Sequence, residues 1–154
     1  MVKLKPLITN IVISLGIGSI SAWVTMDAMQ IYDDVNKPAL SPPPSVFPVV
    51  WSILFLLMGI SAYLIYISGS NKKQKALTIY GLQLVVNFIW PILFFNCQCY
   101  LLAFLWLIFL CVLILFMIGS FYEIKPIAGL LQIPYLLWVI FAGYLNFMVY
   151  FLNK

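Results

Sequence analysis

Apolar residues fill this chain in continuous runs of about twenty, broken by short polar segments, and a run of that length suits a helix crossing the hydrocarbon of a bilayer. The runs lie at about residues 7–26, 46–68, 76–95, 101–120 and 127–151. Strands of a membrane barrel would instead alternate apolar and polar positions. The pattern predicts an all-α integral membrane protein, a five transmembrane helix bundle forming a single domain over residues 1–154. The first run could be mistaken for a signal peptide. It is long for one, however, and residues 27–32 carry no small-x-small cleavage site, so it reads as a span.

The breaks are informative too. The longest, residues 27–45, contains Pro38, Pro42, Pro43 and Pro44. Prolines at this density forbid a long helix and stiffen the backbone, so the segment reads as a lid over a pocket mouth or as a spacer. Pro91 is expected to bend the last turn of the third span, and Pro134 to kink the fifth. In the first span Ser14, Gly18 and Ala22 recur every four residues, a small stripe that lets another helix approach closely.

Composition agrees with the pattern. Of the 154 residues 65% are hydrophobic and 8% charged, too few charges to cover a water-soluble domain. The mean hydropathy is +1.11. The eight basic residues are all Lys, against four acids and no His, and most sit at span ends. Lys3, Lys5, Lys72, Lys73, Lys75 and Lys125 fall on one side, and Lys37 and Lys154 on the other with Asp27, Asp33 and Asp34. The positive-inside rule then puts the N-terminus in the cytoplasm and the Pro-rich loop and C-terminus outside the cell membrane. Cys97, Cys99 and Cys111 have no His or carboxylate near them in sequence, so they read as small apolar filler, with no metal site and no disulfide.

Candidate chemistry is confined to unusual residues within the spans. With a rise of about 1.5 Å per residue, Trp51 lies roughly 8 Å and Phe55 roughly 14 Å below the Pro-rich side. On the same scale Asn87 lies roughly 12 Å, Ala142 about 14 Å and Trp138 about 20 Å from that side. Trp51 with Phe55, Asn87 with Trp90 and Phe94, and Trp138 with Ala142 and Leu145 each share a helix face. A buried Asn amide needs partners that lipid does not offer, and each indole donates one hydrogen bond from a broad apolar ring. These residues suit a pocket for a flat, largely apolar ligand with a few acceptors. The plainer alternatives are an interfacial belt position for Trp51 and helix-to-helix glue for Asn87.

The same residues carry a family likeness. Tyr32-x4-Lys37-Pro38-x3-Pro42-Pro43-x3-Phe47-x3-Trp51, Asn87-x2-Trp90-x3-Phe94-Phe95 and Pro134-Tyr135-Leu136-Leu137-Trp138-x3-Ala142-x-Tyr144-Leu145-Asn146 resemble the TspO/MBR family of tryptophan-rich sensory proteins. That family comprises the bacterial relatives of the mitochondrial translocator protein, or peripheral benzodiazepine receptor. The resemblance spans nearly the whole chain. It implies a homodimeric membrane receptor or sensor for tetrapyrroles, protoporphyrin IX or haem, with no built-in cofactor. Sterols and benzodiazepine-type ligands are further expected guests. Tyr32, Pro42, Trp51, Phe55, Asn87, Trp90, Trp138, Ala142 and Leu145 match ligand-binding positions, and the Pro-rich segment matches the family's lid. Some relatives are linked to light-dependent oxidative degradation of porphyrins, in which Trp51 and Trp138 would be the catalytic candidates.

The chain departs from the pattern at Ile31, where an aromatic is common, at Leu40, where Trp is common, and at Trp106, where an acid is common. A sterol motif reads weakly through Leu145, Tyr150 and Lys154 and is as well explained by anchoring of the last helix end. No general base, nucleophile or metal cluster is visible, which disfavours ordinary acid–base enzymology. The alternative functions are a transporter or shuttle of tetrapyrroles or sterol-like lipids, and a structural membrane subunit. No internal repeat and no mid-span charge point to transport.

Overall fold

A computed structural model describes residues 3–154, the side chain of Ile31 excepted, so the departure at Ile31 lies outside the described side chains. The helices are α1 (Leu4–Thr25), α2 (Met29–Asp33), α3 (Val46–Tyr66), α4 (Lys73–Pro91), α5 (Tyr100–Ile124), α6 (Pro126–Leu130) and α7 (Ile133–Leu152). Among the described residues five segments are long and apolar enough to cross a membrane: Leu4–Thr25, Val46–Tyr66, Lys73–Asn96, Tyr100–Ile124 and Pro126–Leu152. Helix is the form such segments must take, because in hydrocarbon each backbone group has to find its partner within the segment.

Proline sets several boundaries. Pro91 has no N–H to offer the carbonyl of Asn87, and the helix continues as a π-helical turn, Ile92–Asn96, closed by Cys97 N–H donating to Ile92 O at 2.9 Å. The fourth span runs past the expected residue 120 to Ile124, carried on by the fully buried Phe121. It stops there because Lys125, preceding Pro126, is extended at φ −151°, ψ 105°. The expected kink at Pro134 is instead a helix start. Pro134 sits in the first turn of α7, where a missing donor costs nothing, and the fifth span is two helices joined through Gln132.

The long helices form a ring in the order α3, α1, α4, α5, α7, with α6 wedged between α3 and α5 at the Lys-rich end. The tightest joint is α1 on α3. A Cβ on Gly59 would lie 2.7 Å from both the Ile11 Cα and the Ser14 Oγ, and one on Gly18 would lie 2.5 Å from the Phe55 ring. Ser14 and Gly18 of the small stripe thus face α3, whereas Ala22 is exposed. Met58, Leu107, Leu110, Ile114 and Met117 fill the centre. The closing joint of the ring differs: α3 and α7 make no comparable backbone approach.

Candidate ligand-binding site

At the end of the bundle nearest the Pro-rich loop, the first turns of α3 carry Phe47, Trp51 and Phe55 on one face. Trp51 lies 5.6 Å from Phe55, ring centre to ring centre, and 6.3 Å edge-on from Tyr135 of α7. Phe47 meets Trp138 edge-on at 5.9 Å. Asn87 of α4 is buried and its Nδ2 donates to Tyr135 Oη at 2.8 Å. That hydroxyl donates in turn to Gln83 Oε1 at 2.7 Å, and Gln83 Nε2 points to Met58 Sδ at 3.8 Å. Tyr135 therefore joins Trp51 to Asn87 and binds α7 to α4. Ala142 and Leu145 are buried further along α7.

Trp138 stands apart in its hydrogen bonding. Its Nε1 is buried and has no hydrogen-bond partner among the described residues. An indole N–H can only donate, and a buried donor left unsatisfied costs about 1–3 kcal/mol. Trp90 and Trp106 are satisfied: Trp90 Nε1 donates to Asn146 Oδ1 at 3.1 Å and Trp106 Nε1 to Val86 O at 2.8 Å.

A second aromatic group lies under the loop. Tyr32 of α2 packs at 5.6 Å on Phe94 and 5.5 Å on Phe95, and Phe94 packs on Trp90 at 5.6 Å and Tyr100 at 5.2 Å. Asn146 Nδ2 donates to Tyr100 O at 2.7 Å, tying α7 to the start of α5. Lys37 Nζ sits 4.6 Å from the Tyr32 ring centre, a cation–π contact. Burial pushes the Tyr32 phenol above its usual range, so it is protonated throughout the physiological range. The loop is fastened to the far end of α7. Asn36 N–H donates to Asn153 Oδ1 at 3.0 Å, and Asn153 Nδ2 donates to Asn36 O at 2.9 Å and to Val149 O at 2.8 Å. The segment therefore crosses the ends of α4, α5 and α7 before entering α3. Pro38 is buried, Pro42 half-buried, and Leu40 fully on the surface.

The family model for the TspO/MBR family matches residues 10–152. The chain belongs to the TspO/MBR family. Its relatives include the tryptophan-rich protein TspO of Archaeoglobus fulgidus, 34% identical over 148 residues covering 96% of each chain. The tryptophan-rich sensory protein of Cereibacter sphaeroides is 33% identical over 122 residues, 79% of this chain and 76% of that one. The human translocator protein is 31% identical over 140 residues, 89% of this chain and 83% of that one.

Against the TspO/MBR pattern, the structure places eight of the nine ligand-binding candidates in two groups and the ninth in the loop. Trp51, Phe55, Asn87, Trp138, Ala142 and Leu145 lie on the inner faces of α3, α4 and α7. Tyr32 and Trp90 belong to the aromatic group under the loop, and Pro42 lies in the loop itself. Trp106 does not line this region. It hydrogen-bonds the α4 backbone and packs on Phe109 at 5.9 Å, so it fastens α5 to α4. The sterol motif is split, because Leu145 is buried inside the bundle while Lys154 is exposed with its Nζ 5.3 Å from the Tyr150 ring centre. Cys97 and Cys99 are exposed in the turn before α5, and only Cys111 is part-buried, which corrects their reading as filler. Beyond the helix ends there is nothing for their side chains to pack on. Sequence reasoning passed over Gln83, Tyr135 and Asn146 as site residues. The available signal was spacing: Gln83 lies one turn before Asn87, and Tyr135 lies three residues before Trp138.

Proposed function

We propose that this protein is a membrane receptor for tetrapyrroles such as protoporphyrin IX or haem, held between the aromatic residues of α3 and α7 at the loop end. The observation that carries this reading is the buried Trp138 N–H without a partner among the described residues, set beside the Phe47 ring. A flat apolar guest with acceptors at its rim would occupy the rings and satisfy that donor. Asn87 is already engaged with Tyr135, so its part is to hold the back wall. Relatives named as sensory protein and translocator protein fit a receptor role.

If the bound porphyrin is consumed in light, the porphyrin itself is the photosensitiser, and Trp51 and Trp138 are the electron-rich groups beside it. The charge asymmetry supports a cytoplasmic Lys-rich end and a loop outside the cell membrane, and the family likeness supports pairing as a homodimer. The test is a protoporphyrin IX titration in detergent followed by Trp fluorescence. Saturable quenching is expected, and about tenfold weaker binding in Trp138→Phe, which keeps a ring but lacks the donor. Equal affinity in Trp138→Phe would reject the N–H as a ligand contact.

A further inference from the structure

Four joints of the helix ring are backbone-to-backbone, and the fifth is not. Between α3 and α7 lies a groove of about 420 Å³, walled by Val50, Ile53 and Leu54 on one side and Pro134, Leu137 and Trp138 on the other. Ile53 and Leu137 are 53% and 61% exposed at positions that face lipid in a membrane bundle. The seam is bridged by few side-chain contacts, one of them the Trp51 ring edge-on to Tyr135 at 6.3 Å. Ser61 Oγ donates to Ala128 O at 2.6 Å at the Lys-rich end, and Phe47 touches Trp138 near the loop. The other approach, from the loop face, is covered. Tyr32 packs on Phe94 and Phe95, and Asn153 grips both polar atoms of the Asn36 backbone.

We infer that the α3–α7 seam is the ligand's door, through which a flat apolar molecule dissolved in the bilayer passes sideways between the helices. The Trp138 ring forms part of the groove wall while its N–H is buried, so the same residue meets the guest in the groove and holds it inside. A lateral route fits the chemistry of such a guest, which partitions into hydrocarbon and need not cross the polar loop. It also needs a small rearrangement, because parting α3 from α7 breaks chiefly side-chain contacts, α3 and α7 having little close backbone approach. This inference rests on the tetrapyrrole reading for the identity of the guest, though not for the openness of the seam.

Two measurements in lipid nanodiscs test it. The first uses phosphatidylcholine brominated on its acyl chains, which quenches only indoles within contact range. Trp138 fluorescence, isolated as the difference between wild type and Trp138→Phe, is expected to fall, and an unquenched Trp138 would overturn the door. The second follows protoporphyrin IX association by stopped flow. Filling the groove with Val50→Phe and Leu137→Phe is expected to slow association and dissociation together by at least about tenfold, because it blocks a path and leaves the site intact. Releasing the loop with Asn153→Ala is expected to change association less than about twofold. Wild-type kinetics in the filled variant, or a tenfold acceleration in Asn153→Ala, would move the door to the loop face. If wild type takes up no porphyrin while bromolipid still quenches Trp138, the tetrapyrrole reading falls and the lipid-open seam is supported.

Discussion

Tyr135 is the residue on which the inner group turns. It is fully buried, accepts from Asn87, donates to Gln83 and presents its ring to Trp51. Interhelical hydrogen bonds in membranes contribute only about 0.6 kcal/mol on average, but stranding two buried amides at once costs more than one bond. Tyr135→Phe is therefore expected to lower stability by about 1–3 kcal/mol, read as an earlier midpoint in denaturing detergent. An unchanged midpoint would mean that the amides find other partners. This role was hard to see from sequence. A Tyr in an apolar span reads equally as an interfacial belt residue, whereas Asn87 has no comfortable place in lipid and drew attention by itself. Trp51 and Trp138 stood out for a similar reason, as large rings with a polar handle. The satisfied state of Trp90 and the orphaned state of Trp138 depend on what other helices supply, and no single segment contains that information.

Among the helices, α1 owes its place to contact more than to polarity. Its inner face meets α3 through Ser14 and Gly18, opposite Gly59 and Phe55. Gly59→Leu would drive a side chain into the α1 backbone, and α1 would have to move away. The expected result is a large loss of thermal stability, of the order of 1–3 kcal/mol or more, by scanning in detergent. Gly119→Leu is the control, because a Cβ there meets nothing within 4 Å, and it should be near neutral. Span positions were legible from run length because lipid imposes a length. Breaks within spans were less so. Pro91 and Pro134 carry the same chemistry, yet one closes a helix of nineteen residues and forces a π-helical turn, while the other opens α7 and disturbs nothing. The difference is whether the helix before the proline exists, and Gln132 ends that question by sitting in a turn.

For the whole molecule, ring order and orientation decide which surface meets which compartment. Lys3, Lys72, Lys73, Lys75 and Lys125 gather at the end opposite the loop, where Lys72 also pairs with Glu123 at 3.0 Å. The exposed Cys97 and Cys99 mark the loop end natively. A membrane-impermeant maleimide applied to intact cells is expected to label wild type and not Cys97→Ser, Cys99→Ser. Labelling only after the cells are opened would invert the proposed topology. The clamp of Asn153 on Asn36 joins residues 117 positions apart, so the loop's fastening belongs to the fold and was not readable along the chain.

The proposed tetrapyrrole site joins the rings of α3 and α7 at the loop end. Its most direct measurement is the dissociation constant of protoporphyrin IX for Trp51→Ala, Trp138→Ala, read by porphyrin absorbance so that loss of two fluorophores does not enter. Saturable binding is expected to weaken by about a hundredfold or more while the variant stays folded and helical. A folded double variant with wild-type affinity would contradict it.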